Sequence, residues 1–197
     1  MNYLANKEGM LRAMTFFQDT HNKKAIFQNG DQIKPMASEL YVNKLVSIAG
    51  GKQSLLQSGS DNVVGVTNFD GNKLDQGRAF ALDGVSFHAA IGDKGAKPYN
   101  VDYATGITKA QAQAFQFANL VLRQNNEILM RLPISSILNG KQEFSEYRDL
   151  DLIMLIPQKV IEVELEFPDE VAAPSVGDGK AIFVSVKFRG YESYQRR

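Results

Sequence analysis

The chain of 197 residues contains no cysteine. Without thiols it can form no disulfide scaffold, no thiolate metal site and no cysteine nucleophile. The composition therefore does not indicate whether the protein works in an oxidising or a reducing compartment. Tryptophan is also absent, although sugar-binding surfaces commonly use exposed indole or clustered tyrosine rings. The 12 phenylalanines against 7 tyrosines favour aromatic side chains in a core or a buried interface instead.

Neither sign of charge is in excess, with 22 Lys and Arg against 22 Asp and Glu. A neutral chain has no long-range field to steer it onto nucleic acid or an anionic membrane. The C-terminal RGYESYQRR carries only Arg189, Arg196 and Arg197, whereas strong phosphate binding uses roughly six or more contacts. We therefore expect no strong nucleic-acid binding.

Long hydrophobic runs are missing as well. The longest, such as residues 152–156, are too short to span a bilayer. The N-terminal segment has no unbroken apolar stretch and is not predicted to be a signal peptide. These patterns predict a chain that is made, and assembles, in the cytoplasm.

Catalytic and metal-binding motifs are not found. No nucleophile elbow, zinc-protease, phosphate-loop, dinucleotide-binding or EF-hand pattern occurs. The two histidines, His21 and His88, are distant in sequence, and a histidine–carboxylate centre needs at least two converging imidazoles. We interpret His88 as a half-buried or interface strand residue and His21 as solvated. The loops at Asp70 and Asp93 lack the dense acidic spacing of a calcium site. The prediction is no enzyme, no cofactor and no metal.

Residues 1–60 are predicted to form an N-terminal arm. Asn29-Gly30 predicts a hairpin turn, residues 39–49 predict a strand or a short helix, and the Gly/Ser/Gln-rich residues 50–62 predict a loop or flexible linker. Ahead of these, an apolar stripe predicts a short amphipathic helix, and its members are Met10, Leu11, Met14 and Phe17.

Residues 61–197 are predicted to be mostly strands separated by turn-rich loops. A break at Asp83-Gly84 predicts a bulge or tight turn within one strand, and residues 108–122 predict a short helix that passes into a strand. The other predicted strands are residues 63–69, 79–91, 127–134 and 150–156.

Two segments near the C-terminus show the clearest strand pattern, in which apolar and polar residues alternate. The glutamates of the first segment, Glu162, Glu164 and Glu166, are interpreted as a solvated face and not as paired catalytic carboxylates. If the two strands are antiparallel neighbours, Lys187 and Arg189 would lie opposite these glutamates. The predicted core residues are Ile161, Val163, Leu165, Phe167, Ile182, Val184, Val186 and Phe188.

Many strands with few helices favour an antiparallel sandwich or barrel, and the absence of a βαβα alternation argues against a doubly wound fold. The organisation of residues 63–197 resembles jelly-roll coat proteins of icosahedral bacteriophages. The resemblance is carried by NVVGVTNFDGNKLDQGRAFALDGVSF, EILMRLPISSI and AIFVSVKFRGYE. It implies an all-β fold: a single jelly-roll antiparallel β-sandwich with an N-terminal arm and one or two short helices.

The resemblance also implies a function. We expect a coat or vertex subunit of a virion shell, assembled in the host cytoplasm, that forms a trimer or pentamer with copies of itself and contacts other shell proteins. The alternative is a β-sandwich carbohydrate-binding or adhesin module. The arm is predicted to pack on a neighbouring subunit, the inner shell surface or an internal membrane face. Its predicted interface residues are Met10, Leu11, Met14, Phe16 and Phe17.

Overall fold

The computed structural model describes residues 3–24, 35–48, 50–56, 62–104, 109–140 and 145–194. Within these residues the chain forms eight β-strands, three α-helices and one short 3-10 helix. The strands are β1 (Met36–Val46), β2 (Gly51–Ser54), β3 (Arg78–Asp93), β4 (Asn119–Gln124), β5 (Glu127–Pro133), β6 (Arg148–Leu155), β7 (Ile161–Phe167) and β8 (Lys180–Tyr194). The helices are α1 (Tyr3–Lys24), α2 (Lys109–Gln116), α3 (Ile134–Asn139) and the 3-10 helix Pro98–Asn100.

The strands form two four-stranded sheets, which we name sheet 1, with the order β1-β8-β3-β6, and sheet 2, with the order β2-β7-β4-β5. Every pairing is antiparallel. The first strand pairs with the last, the second with the seventh, the third with the sixth and the fourth with the fifth. The chain is therefore one long two-stranded ribbon wound into two sheets, and the predicted antiparallel β-sandwich is confirmed.

The core lies between the two sheets and follows the predicted alternation. In β7 the apolar residues are buried while the glutamates between them are half-buried. In β8 the residues predicted to face inward, among them Val184, are buried, but Phe183 and Ser185 between them are buried too. All eight predicted core residues are buried. Each such side chain stabilises the fold by about 1.5–3 kcal/mol relative to exposure. At one end of the sandwich Phe115, which α2 positions, packs on Phe87 and Phe167 with ring centroids 5.4 and 5.8 Å apart.

Two strands occur in the part of the chain predicted as an arm. All of β1 pairs with β8, from Met36 opposite Glu192 to Val46 opposite Ile182, and β2 pairs with β7. The sheets therefore begin at Met36, ahead of the boundary at residue 61 that the sequence suggested. The glycine at the start of the segment 50–62 has a structural role. Gly50 has a positive φ of 79°, which glycine adopts easily, where the chain passes from sheet 1 to sheet 2. The predicted hairpin at Asn29-Gly30 lies outside the described residues.

The predicted strand 63–69 is a turn instead. Residues 64–66 form the turn, with Gly65 at φ 82°, and the segment lies along the free edge of β1. The amide of Asn43 donates to the Val66 carbonyl over 2.7 Å. The Asn68 side chain accepts from the Tyr41 amide over 2.8 Å and donates to the Glu39 carbonyl over 2.7 Å. The β-branched residues that suggested a strand thus cover an edge, which blocks pairing with another chain.

The predicted break in the long third strand is confirmed. The register of β3 shifts between Leu82 and Gly84 against both β6 and β8. Against β8, Leu82 lies opposite Gly190 and Gly84 opposite Arg189, so Asp83 is the extra residue of a β-bulge. Against β6 the extra residues lie on β6, because Leu82 is opposite Ile153 and Gly84 is opposite Asp149. The bulge leaves Leu82 and Val85 in the core and places Asp83 beside Arg189 of β8.

The helices differ from the expectation of one or two short ones. A short helix followed by a strand was predicted for residues 108–122, and the structure has α2 and β4 there; residue 108 itself lies outside the described residues. α1 has 22 residues, which is longer than the apolar stripe indicated. α1 packs on β3 and β6. This contact stabilises the helix, because most helical stability in proteins comes from tertiary packing and not from the isolated helix.

Gln124 ties the two sheets together. Its side chain, 5% exposed, donates to the Ile156 carbonyl and accepts from the Ile156 amide, both over 2.9 Å. We expect Gln124→Leu to lower the free energy of unfolding by about 2–4 kcal/mol, because both Ile156 groups lose their partner in a buried place. Urea unfolding measures this, with exposed Gln18→Leu as the control; equal stability of the two variants would contradict the role of this amide.

Candidate functional site

The outer face of sheet 1, which points away from the sandwich core, carries α1. Ala13 is 0% and Phe17 1% exposed. Phe17 lies in an apolar cluster with Ala79, Ala81 and Met154 of the sheet. About one turn before Ala13, Gly9 approaches the Tyr191 hydroxyl so closely that a Cβ at position 9 would collide with it. The docked side of α1 is therefore built on the small residues Gly9 and Ala13.

The five residues predicted as a subunit interface are divided by this docking. Phe17 is buried inside its own chain, and Phe16 packs against the same cluster. Met14 is half-buried, while Met10 and Leu11 are 41% and 54% exposed. Sequence reasoning missed Gly9 and Ala13, because small residues add little to an apolar pattern. The available signal was the series Gly9, Ala13 and Phe17, in which each residue follows the one before it by four positions.

A second feature of this face is the segment of residues 145–147, which we call the strap. It precedes β6 and contacts side chains of β1, β3 and β8. The Glu146 carboxylate lies 3.4 Å from His88 Nε2 and 3.3 Å from Lys187 Nζ. The Tyr147 hydroxyl donates to the Glu39 carboxylate, and Tyr147 is 9% exposed.

Arginine and acidic side chains secure the strap further. The Arg189 guanidinium lies 5.3 Å from the centroid of the Tyr147 ring, within the range of a cation–π contact. It also donates to Asp83 over 2.8 Å and to Asp149 over 2.9 Å. Burial raises the pKa of Glu39; the nearby Lys187 charge opposes this rise and the Glu146 charge adds to it.

Small residues of the sheet make room for the strap. Ser86 lies opposite Lys187, is 0% exposed and is flanked along β3 by His88 on the same face. Ser185, 3% exposed, lies opposite His88. His88 itself is half-buried in β3, as the sequence suggested, with 28% of its side chain exposed. His21 belongs to α1, and its side chain is outside the described set.

The outer face of sheet 2 carries the predicted glutamate row, but its partners differ from the prediction. Lys187 and Arg189 belong to sheet 1 and never face β7, because β7 and β8 are in different sheets. The cations opposite the row come from β2, β4 and β5. Glu166 lies 3.0 Å from Arg131 and 3.4 Å from Lys52, and Arg123 lies 3.3 Å from Glu164.

This cluster makes stability depend on pH. Burial opposes the ionisation of Glu166, but hydrogen bonds and charges from Arg131 and Lys52 outweigh it and lower its pKa. A depressed carboxyl pKa stabilises the fold above the unfolded pKa and loses this effect as the pH falls through the folded pKa. We expect Glu166→Gln to cost about 1 kcal/mol at pH 7. The gap to wild type should close below about pH 4; a gap independent of pH in urea unfolding would contradict this account.

A shallow groove lies at the end of the sandwich where the β3–β4 and β7–β8 connections meet. Its volume is about 380 Å³, and it is lined by Ala114, Phe117 and residues 171–174. Phe117 is 66% exposed. Residues 45–48, at the end of β1 and just after it, line a neighbouring groove together with Pro174.

No group of three or more His, Asp or Glu in the described residues is arranged to hold a metal ion. Of the two loop aspartates, Asp93 lies 2.6 Å from Lys180 and Asp70 lies 3.9 Å from Arg78. Among the described helices, none combines the length and the apolar character needed to cross a membrane.

Comparison of the chain with protein-family models, with curated proteins and with solved structures finds no match.

Proposed function

We propose that the chain is a single jelly roll and works as a structural subunit of a virus shell, a coat or vertex protein of a bacteriophage that acts by self-assembly. The strand order carries this proposal. A jelly roll has eight strands in two sheets and two Greek-key connections, and it occurs in viral capsid and lectin domains. The observed orders β1-β8-β3-β6 and β2-β7-β4-β5 have the pairing that a wound eight-stranded ribbon requires.

The surfaces of the molecule support association through side chains. The turn at residues 64–66 and Asn68 cover the free edge of β1, so addition of a strand there is blocked. At the loop end, Phe117 is exposed beside an apolar groove, as subunit contacts in closed rings require apolar residues on the surface. The resemblance of the sequence to phage coat proteins points to the same class.

The oligomeric state tests the proposal directly. Light scattering and sedimentation of the purified chain at several concentrations should give a trimer or a pentamer, the closed rings expected of shell subunits. Electron microscopy at high concentration should show rings or larger shells. A monomer at all concentrations would contradict the proposal, and selective glycan binding by that monomer would favour the adhesin or carbohydrate-binding module.

The exposed side of α1 is the predicted contact between subunits. We expect the double substitution Met10→Ser, Leu11→Ser to shift the oligomer towards monomer by about tenfold in the dissociation constant, because two exposed apolar side chains lose their partner surface. The melting temperature should change little, since both residues point away from sheet 1.

Two control variants on the same helix separate assembly from folding. Gln18→Ser changes an exposed residue and should leave both oligomer and melting temperature unchanged. Phe17→Ala should lower the melting temperature, because Phe17 is buried against Ala79 and Ala81. If the Met10 and Leu11 substitutions leave the oligomer unchanged, α1 is not part of the subunit interface. The shell function is then tested by the oligomeric state alone.

A further inference from the structure

The strap is held on sheet 1 by groups that change charge in different pH ranges. We propose that the strap is a pH-sensitive latch, attached most firmly at mildly acidic pH and loosened at alkaline pH. The juxtaposition of Glu146 with His88, Lys187 and Glu39 carries this inference. It does not depend on the proposed shell function, and it applies equally to a monomer.

Glu146 is the centre of the latch. One carboxylate oxygen lies 3.4 Å from His88 Nε2 on β3, and the other lies 3.3 Å from Lys187 Nζ on β8. Lys187 supplies one cation beside Glu146. His88 is one only when protonated, and an imidazole ordinarily gains its proton near about pH 6.5. Acidification therefore adds a second cation beside Glu146.

Glu39 changes the attachment in the same direction. It lies on β1 and accepts the Tyr147 hydroxyl. Burial raises its pKa, the Lys187 charge opposes this rise and the Glu146 charge adds to it. Because its pKa is raised, a bound proton favours the folded arrangement, and this contribution is lost as the pH rises through the folded pKa. At mildly acidic pH the repulsion between the two carboxylates is relieved while Tyr147 keeps an acceptor oxygen.

The other charged groups around the strap are Arg189 on β8 and its partners Asp83 on β3 and Asp149 on β6. Burial opposes the charge of Arg189, but hydrogen bonds and charges from both aspartates outweigh it and raise its pKa, so it stays cationic. Its guanidinium contacts the Tyr147 ring and therefore anchors the strap without sensing protons.

Hydrogen exchange of the full-length chain, followed by mass spectrometry, tests the latch. Protection of the peptide that contains residues 145–149 is measured at pH 5.5 and 8.0, each value divided by the exchange rate of an unstructured peptide at that pH. We expect protection about fivefold higher at pH 5.5, the factor that corresponds to about 1 kcal/mol for charging a partly exposed ion pair.

Three variants identify the groups that respond. Glu146→Gln and His88→Gln should each reduce the pH difference by at least half, and what remains in Glu146→Gln is the contribution of the proton on Glu39. Both variants should keep the melting curve of a folded chain, because Glu146 is 43% and His88 28% exposed in their side chains. His21→Gln replaces the other histidine of the chain and should leave the difference intact. Equal protection at the two pH values in wild type overturns the proposal. A full difference that persists in either Glu146→Gln or His88→Gln overturns it as well.

Discussion

Val184→Asp is expected to abolish folding to a soluble, cooperative state. Val184 is 0% exposed and lies on the inner face of β8, between Lys44 of β1 and Ala89 of β3 in the register of sheet 1. A carboxylate there would be buried among the apolar side chains of the core, and the cation opposite it in the register, Lys44, already donates its Nζ to the Ser54 carbonyl over 3.1 Å. Burying it unpaired costs more than the about 5–15 kcal/mol by which domains of this size are stable.

Solubility, circular dichroism and calorimetric melting of Val184→Asp check this expectation. The matched control is Val64→Asp, which makes the same chemical change at a turn residue that is 87% exposed. That variant should melt within about 1 °C of wild type, because exposed substitutions change stability by less than about 0.5 kcal/mol. If Val184→Asp melted like its control, the inward assignment of β8 would have to be abandoned.

Arg78→Met is expected to lower the free energy of unfolding by about 3–5 kcal/mol, the cost of leaving one member of a buried ion pair without its partner. Arg78 is 8% exposed at the beginning of β3. Its Nε and one terminal nitrogen donate to the same oxygen of Glu192 over 3.1 and 2.9 Å. It also donates to the Asn68 carbonyl over 3.4 Å, so it links sheet 1 to the segment that covers the edge of β1.

A double variant separates the destabilisation caused by an unpaired Glu192 carboxylate from the net contribution of the Arg78–Glu192 ion pair to stability. In Arg78→Met, Glu192→Met the orphaned carboxylate is removed together with the cation, and we expect most of the lost stability to return. Lys180→Met is the surface control, since Lys180 and Asp93 lie 2.6 Å apart with side chains 47% and 75% exposed. It should change stability by less than about 1 kcal/mol. Urea unfolding of all three variants is the measurement; a double variant no more stable than Arg78→Met would contradict the ion-pair explanation.

Several elements could be predicted because their signals are local. The alternation along β7 and β8 identified which residues face the core, since side chains of a strand point to opposite faces in turn. The Asp83-Gly84 break was recognisable because an aspartate and a glycine interrupt an otherwise apolar strand. In both cases the pattern within a few residues contains the information.

The predictions differed from the structure where a sequence pattern was compatible with two conformations. The β-branched residues 63–67 have strand propensity, yet Gly65 turns the chain and the segment covers β1. The stripe of α1 was assigned by its large side chains, while Gly9 and Ala13 form the docked side. Propensity and periodicity describe what a segment can do, and contact with the rest of the fold decides among the possibilities.

The sequence by itself determined the class of this protein: an antiparallel β chain with the identified core positions, because strand period and turn chemistry act over a few residues. The tertiary structure alone decided which strands are neighbours, and so which charges meet. Glu39 and Tyr147 are 108 residues apart and Arg78 and Glu192 are 114 apart. Such partners follow from the global winding of the ribbon, which is set by the burial of both inner sheet faces at once.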